Sequence, residues 1–336
     1  MTSFVLQLLL MLIIILAASE LFTNALEHLG ERLKISEGVT GSLFAAVATA
    51  MPETMVPLLA IFAGTTNVNV NEEIGVGAIL GAPLMLSTLS SCLMALAVLR
   101  HRGLQGHLRP EHSGLGRDLD FFLLAFVLAA VAMFVPATQS LVRGALAIGL
   151  VLLYFIYMLL TLRASAHLVE GGHGTEAHQK MFLARLGVPT NLASIVVQLL
   201  CGLVLLVVGA KGFINGVEGA SELLHISPLL LSLLIIPIAT ELPEKVNSIL
   251  WIRRGKDTLA FGNITGAMVF QGTLLPAIGI MLTPWAPRIE VLTGVACTLI
   301  AAAWMRWQLR SGGLRVWMLL ANGALYLIFI VTALGG

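Results

Sequence analysis

The chain has 336 residues, of which 58% are hydrophobic and only 11% are charged, and its formal net charge is +1. This charged fraction is less than half of the roughly 25% found in soluble domains, which excludes an ordinary soluble protein and indicates an integral membrane protein. The near-zero net charge gives no sign of a nucleic-acid partner. Cys92, Cys201 and Cys297 lie far apart in apolar runs, which excludes a disulfide framework or a cysteine metal motif.

Ten stretches are apolar enough to form membrane-spanning helices, each of which needs about 20 residues. In chain order they lie near 4–26, 39–63, 74–99, 119–136, 141–162, 192–214, 228–252, 259–282, 287–305 and 315–334.

The basic residues are distributed very unevenly between the two sets of loops that these spans create. One set holds fifteen Lys and Arg residues, and the opposite set holds only Arg143 and Arg288. Because basic loops stay on the cytoplasmic side, this bias predicts that both termini lie outside. We expect a plasma membrane of the bacterial type and inorganic cations, not nucleic acid, as partners; the sequence specifies no oligomeric state.

The chain also repeats itself at an offset of 191 residues, at which Leu26–Glu53 aligns with Val217–Glu244 without a gap. The matched pairs include Asn24/Asn215, Thr49/Thr240, Pro52/Pro243 and Glu53/Glu244. Each half has five spans, and an odd number places the halves in opposite orientations. We therefore predict an all-α membrane protein of ten helices in two inverted five-helix repeats, with broken helices at the midplane. The first repeat covers 1–162, a cytoplasmic linker 163–191 and the second repeat 192–336.

The linker contains His167, His173 and His178 among glycines and glutamates. Two interpretations are open, a metal-sensing segment or a solvated connection. The spacing matches no defined metal site and favours the second.

Each half contains an acidic stretch that prolines interrupt: AVATAMPETMVPLLAIFAG, residues 46–64, and IPIATELPEKVNS, residues 236–248. Acids inside the membrane are costly and are usually functional. Thr49 precedes Glu53 by four residues and Thr240 precedes Glu244 by four, which places each hydroxyl and carboxylate on one helix face. Prolines free backbone carbonyls, and oxygen ligands suit a hard divalent cation. The two half-sites together predict one divalent-cation site.

The second half offers more polar groups than the first. Asn263 and Thr265 lie within its Gly-x-Ile-x-Gly motif and Gln271 follows it, so we expect an asymmetric site. Glu241 and Lys245 lie four residues apart, a spacing that suits a structural ion pair. Alternatively, the Lys245 ammonium takes the place of a monovalent ion, and the formal charge of Glu53, Glu241, Glu244 and Lys245 is then −2. Both interpretations of Lys245 are open.

The segments Ala239-Thr-Glu-Leu-Pro-Glu244 and Ala48-Thr-Ala-Met-Pro-Glu53, each followed by Gly-x-Ile-x-Gly, resemble the two alpha-repeats of the cation/calcium antiporter superfamily. The alpha-repeats would cover about 39–99 and 228–282. The resemblance implies alternating access by sliding of the first and sixth spans. It also implies cation ligands, which are Thr49, Glu53, Thr240 and Glu244, with backbone oxygens near Ala46 and Pro237. Where the family has serine after the threonine, this chain has Ala50 and Glu241, and further ligand positions hold Leu86 and Gln271.

We therefore predict a secondary antiporter that exports calcium or a similar divalent cation in exchange for protons or sodium, with no cofactor beyond the transported ion. The alternatives are a passive cation channel, or an exchanger of manganese, magnesium or potassium. An intramembrane enzyme is disfavoured because the chain has no HExxH or Gly-x-Ser-x-Gly motif and every His lies in or near a loop.

Overall fold

A computed structural model describes residues 2–32, 51–169, 180–310 and 312–335. The structure is helical apart from a two-stranded antiparallel ribbon that pairs β1 (His107–Leu108) with β2 (Leu314–Arg315). In chain order the helices are α1 (Thr2–Arg32), α2 (Met51–Ala63), α3 (Val68–Met85), a π-helix (Leu86–Ser90), α4 (Ser91–Arg102), α5 (His112–Ala132), α6 (Ser140–Val169), α7 (Phe182–Arg185), α8 (Leu192–Leu224), α9 (Pro228–Thr240), α10 (Leu242–Arg253), α11 (Asp257–Leu282), α12 (Ile289–Arg310) and α13 (Val316–Gly335).

Seven helical stretches in the described part of the chain are long and apolar enough to cross a membrane. The other three predicted spans lie on helices that do not meet this criterion of length and hydropathy, each for a different reason. The span near 39–63 is described only from residue 51, the span near 228–252 is divided into α9 and α10, and α5 carries Arg117, Asp118 and Asp120. An integral membrane protein is therefore confirmed, while the count of ten spans stays a prediction.

The helix bounds follow the repeat. Shifted by 191 residues, α1 falls on α8 and α2 falls on α10, with ends that agree to within two residues. This agreement arises because the same apolar lengths and the same proline recur in both halves.

The chain divides into two compact units, and the first consists of Met1–Asn71 and Met158–Ile226. Within it α1 packs along α8, and α2 also packs on α8. A Cβ atom placed on the α8 glycines would lie about 3 Å from α1 side chains, which shows a close helix approach; the pairs are Gly202 with Phe22, Gly209 with Ile15 and Gly216 with Leu8. Residue numbers rise on one helix as they fall on the other, so α1 and α8 are antiparallel. This is the relation that oppositely oriented halves require.

The end of the linker is also part of this unit. The backbone N–H of Phe182 donates to Asn24 Oδ1 (3.1 Å), and that of Leu183 donates to Gln198 Oε1 (3.0 Å). Gln198 Nε2 in turn donates to Asn24 Oδ1 (2.9 Å). These bonds attach α7 to the adjacent ends of α1 and α8. His173 and His178 lie outside the described residues.

The second unit consists of Glu72–Tyr157 and Ser227–Gly336. Here α5 packs on α11 and α12, α10 packs on α4 and α11, and α13 packs on α4 and α12. Arg143 is buried at the start of α6, where its guanidinium donates to the carbonyl oxygens of Ile280, Thr283 and Pro284. Because the last carbonyls of a helix have no donor within it, Arg143 caps the C-terminus of α11.

Glu111 caps the N-terminus of α5, another helix of this unit. Its carboxylate accepts hydrogen bonds from the backbone N–H groups of Ser113 and Gly114 at the start of α5. Burial alone would raise the pKa of Glu111, but the hydrogen bonds from Ser113 and Gly114 outweigh it and lower that pKa below its ordinary value.

Candidate functional site

The acidic stretch of the second half forms a helix break in the second unit. Helix α9 ends at Thr240 and α10 begins at Leu242, with Glu241 between them at φ −91° and ψ 6°. Pro237 lies inside α9 and Pro243 lies in the first turn of α10. Neither proline has an N–H to donate, so the helical hydrogen-bond ladder is interrupted on both sides of Glu241. The predicted break in this half is therefore present, and it is one residue long.

Two carboxylates meet at this break. Glu241 is fully buried, Glu244 is 6% exposed, and an oxygen of one lies within 4.8 Å of an oxygen of the other. Gln271 on α11 donates from Nε2 to Glu241 Oε1 at 2.7 Å. The structure thus brings together three of the predicted site residues, Glu241, Glu244 and Gln271.

Glu244 Oε2 is buried and has no hydrogen-bond partner among the residues that the structure describes. A buried carboxylate oxygen without a donor is costly, and a second carboxylate nearby adds repulsion. A bound cation or a proton would relieve both effects. The location of Glu244 in the first turn of α10 favours its negative charge, because backbone N–H groups point out of that helix end.

Lys245 contributes a positive charge to the same place. Its side chain is buried, and Nζ donates to the Pro237 carbonyl at 3.0 Å and lies 2.8 Å from Met85 Sδ. The Pro237 carbonyl also accepts the backbone N–H of Glu241 at 3.2 Å. The backbone oxygen that the family resemblance suggests as a cation ligand therefore already has two donors.

Two further polar side chains of the second half, Thr240 and Asn263, make hydrogen bonds around the helix break. The Thr240 hydroxyl donates to the Ile236 carbonyl at 3.3 Å, which leaves its oxygen able to accept or to coordinate. Asn263 Nδ2 on α11 donates to the Glu244 carbonyl at 3.2 Å and to Ser248 Oγ at 3.0 Å. These two bonds connect α10 to α11 beside the carboxylates.

Glycines of α3 allow that helix to approach α9 closely. A Cβ on Gly77 would overlap Ser232 Oγ and lie 2.7 Å from the Leu229 carbonyl oxygen. A Cβ on Gly81 would overlap the Leu233 carbonyl oxygen, one turn before Pro237. The two helices therefore approach closely at Gly77 and Gly81, while Gly262 and Gly266 show no such approach to the part of the chain that the structure describes.

The first half supplies one described site residue, Glu53, which is buried in the first turn of α2 in the other unit. Its place at the start of α2 matches that of Glu244 at the start of α10. Thr49 and Ala46 lie outside the described residues.

Sequence reasoning missed two features of the second unit. Met85 contacts Lys245, and nothing distinguishes this residue from an apolar core residue in the sequence. Asp118 is buried and accepts hydrogen bonds from Thr265 Oγ1 (2.7 Å) and Tyr157 OH (3.0 Å). The predicted span began at 119 and excluded Asp118, whereas α5 begins at His112 and carries this acid into the helix.

Comparisons with known proteins agree with this architecture. The model of the sodium/calcium exchanger protein family matches residues 3–163 and 194–335, most of the chain. The putative antiporter CaxA of Alkalimonas amylolytica is 25% identical over 315 residues, which cover 90% of this chain and 89% of that protein.

Two solved structures share the fold. The H+/Ca2+ exchanger CAX has a TM-score of 0.70 at 22% identity, over 98% of this chain and 82% of its own. The sodium-calcium exchanger NCX_Mj has a TM-score of 0.57 at 19% identity, over 98% and 99%. The resemblance predicted from the two acidic repeats is confirmed by the family match. The chain belongs to the sodium/calcium exchanger protein family.

Proposed function

We propose that this protein is a secondary antiporter that exports calcium, or a similar divalent cation, in exchange for protons or sodium by alternating access. The observation that carries this proposal is the pair of buried carboxylates Glu241 and Glu244 at a proline-interrupted helix, with Glu244 Oε2 lacking a donor in the described part of the chain. Calcium binds carboxylate, hydroxyl, amide and carbonyl oxygens. Thr240 and Gln271 add a hydroxyl and an amide oxygen to the carboxylates.

Glu53 is proposed to complete the site from the first half, together with the Thr49 hydroxyl and the backbone oxygen near Ala46. The support is the repeat, which gives Glu53 and Glu244 equivalent places at helix starts, and the burial of Glu53. Three carboxylates and the Lys245 ammonium have a formal charge of −2, which one divalent cation neutralises.

The proposed motion follows from the packing of the first unit. Helices α1 and α8 are the first and sixth predicted spans, and they contact each other through the α8 glycines along most of their length. Small residues permit such backbone approach between membrane helices. We propose that α1 and α8 move as one body during transport, with both chain termini on the outer side of the membrane. The similar proteins described above are an H+/Ca2+ exchanger, a sodium-calcium exchanger and a putative antiporter, which supports this proposal.

Uptake into proteoliposomes tests the proposal. Vesicles loaded with acid or with sodium should take up calcium, and vesicles without either gradient should not, because an antiporter needs an exchanged ion. Calcium entry that requires no counter-ion gradient would instead identify a passive channel. Parallel assays with manganese, magnesium and potassium identify the preferred cation.

Two variants connect this activity to the proposed site. Glu53→Gln and Glu244→Gln should each reduce uptake to the level of protein-free vesicles, since each removes a charged ligand. Glu222→Gln, at an exposed position on α8, is the matched control and should transport normally. Normal transport by both Glu53→Gln and Glu244→Gln would refute the proposed site.

A further inference from the structure

The location of Lys245 bears on which ions the protein accepts. Lys245 is 6% exposed and directly follows Glu244 on α10. It is held by the Pro237 carbonyl from α9 and the Met85 thioether from the end of α3, so three helices converge on it. A buried ammonium has a large desolvation cost, and such groups persist where nearby negative charge and acceptors offset that cost.

One of these partners, the Pro237 carbonyl, is an oxygen ligand of the kind that holds a small hard cation. The carbonyl belongs to the residue that interrupts α9, and the two carboxylates Glu241 and Glu244 lie within one turn of Lys245 on the adjoining segment. An ammonium bound in this way occupies the position where a free monovalent cation would find a carbonyl oxygen and adjacent negative charge.

We infer that Lys245 is a specificity-determining residue whose ammonium acts as a tethered monovalent cation, so that the site takes one divalent ion and excludes sodium. This inference rests on the proposed function and narrows it. If sodium is excluded, the proton is the ion that is exchanged for the divalent cation. The charge balance agrees. Within the second unit Glu241, Glu244 and Lys245 have a formal charge of −1, and the proposed contribution of Glu53 makes it −2. A sodium ion bound beside one divalent cation would leave an uncompensated positive charge.

A purely structural role for Lys245 is the competing interpretation, in which the side chain joins α10 to α9 and α3. Both interpretations predict that loss of Lys245 lowers stability. Only the tethered-cation role predicts that its loss makes the protein respond to sodium.

The test uses the full-length protein, with calcium binding followed by thermal stabilisation in detergent and transport followed in proteoliposomes. Each measurement compares sodium chloride with choline chloride at equal ionic strength. For the wild type, exchanging choline for sodium should change neither the calcium midpoint nor the melting temperature. In Lys245→Met, which removes the charge and keeps the length, sodium should bind in place of the ammonium and weaken calcium binding, because it reduces the negative charge that calcium meets. At a sodium concentration ten times its own dissociation constant, the apparent calcium midpoint should rise by up to about tenfold.

Two controls accompany this comparison. Lys245→Arg retains the charge and should stay insensitive to sodium. Lys211→Met removes an exposed lysine from α8 and should behave as the wild type. If Lys245→Met does not fold, Lys245→Gln replaces it.

The outcomes separate the two proposals. If the wild type does not transport any divalent cation, the proposed function fails. If the wild type transports calcium but sodium shifts its calcium midpoint, or if both folded neutral variants ignore sodium, the tethered-cation role of Lys245 is wrong and the proposed function stands. Should neither neutral variant fold, a calcium midpoint that sodium shifts in the wild type or in Lys245→Arg overturns the tethered-cation role, and a midpoint that sodium shifts in neither supports it.

Discussion

Replacing Gly81 by alanine tests whether the close approach of α3 to α9 maintains the helix break. The new Cβ would overlap the Leu233 carbonyl oxygen and would lie 2.6 Å from Pro237 Cγ and 3.0 Å from Leu233 Cα. Two of these three atoms are backbone and cannot rotate away, so the two helices must separate. Separation moves Met85, one turn beyond Gly81, away from Lys245.

The expected magnitude follows from two opposing effects. Alanine is favoured over glycine within a helix by about 1 kcal/mol, and this gain applies wherever the helix continues. Inserting a methyl group into a packed contact costs about 1–3 kcal/mol. Gly149→Ala in α6 isolates the first effect, because no atom lies within 4 Å of a Cβ built there. The difference in stability between the two alanine variants should therefore be about 1–3 kcal/mol, with Gly81→Ala the less stable.

Thermal melting in detergent and calcium uptake in proteoliposomes together measure this effect. Gly149→Ala should melt at or above the wild-type temperature and transport normally. Gly81→Ala should melt lower and transport more slowly. Equal melting temperatures for the two variants, with wild-type transport by Gly81→Ala, would show that the contact between α3 and α9 is not tight and would refute the reasoning.

Three further predictions concern separate contacts. Gln271→Leu removes the amide that orients Glu241 and should weaken calcium affinity about 10–100-fold, as loss of an orienting partner does at metal sites; titration of thermal stabilisation with calcium measures it, and unchanged affinity would contradict the role. Arg143→Met leaves the last carbonyls of α11 without donors and should lower the free energy of unfolding by at least about 1.5–3 kcal/mol, with Arg143→Lys intermediate; denaturation in detergent decides between these outcomes. Glu111→Ala should destabilise α5 at neutral pH, but the gap to wild type should close under acid. Because the pKa of Glu111 is lower in the folded protein, the stability from its cap is present above the ordinary carboxyl pKa and is lost as the pH falls through the lowered value. A gap that persists in acid would contradict this assignment.

The sequence alone determined that this is a helical membrane protein, and it predicted the acids of the proposed site. Membrane insertion depends on local composition and length, which can be counted along the chain. The prolines at 237 and 243 likewise act on their own helix, so the break around Glu241 could be predicted without tertiary information. Recurrence of the same pattern 191 residues apart identified Glu53 and Glu244 as equivalent positions.

Only the tertiary structure decided which side chains meet. Lys245 could have paired with Glu241 or faced the site, and its contact with Met85 depends on how α3 packs on the helix break. Arg143 was expected to be an ordinary loop cation, yet it is buried because α11 ends beside the start of α6. The contacts of Lys245 with Met85 and of Arg143 with Ile280 join residues more than a hundred positions apart. Their geometry comes from helix packing, which neither hydropathy nor periodicity along the chain records.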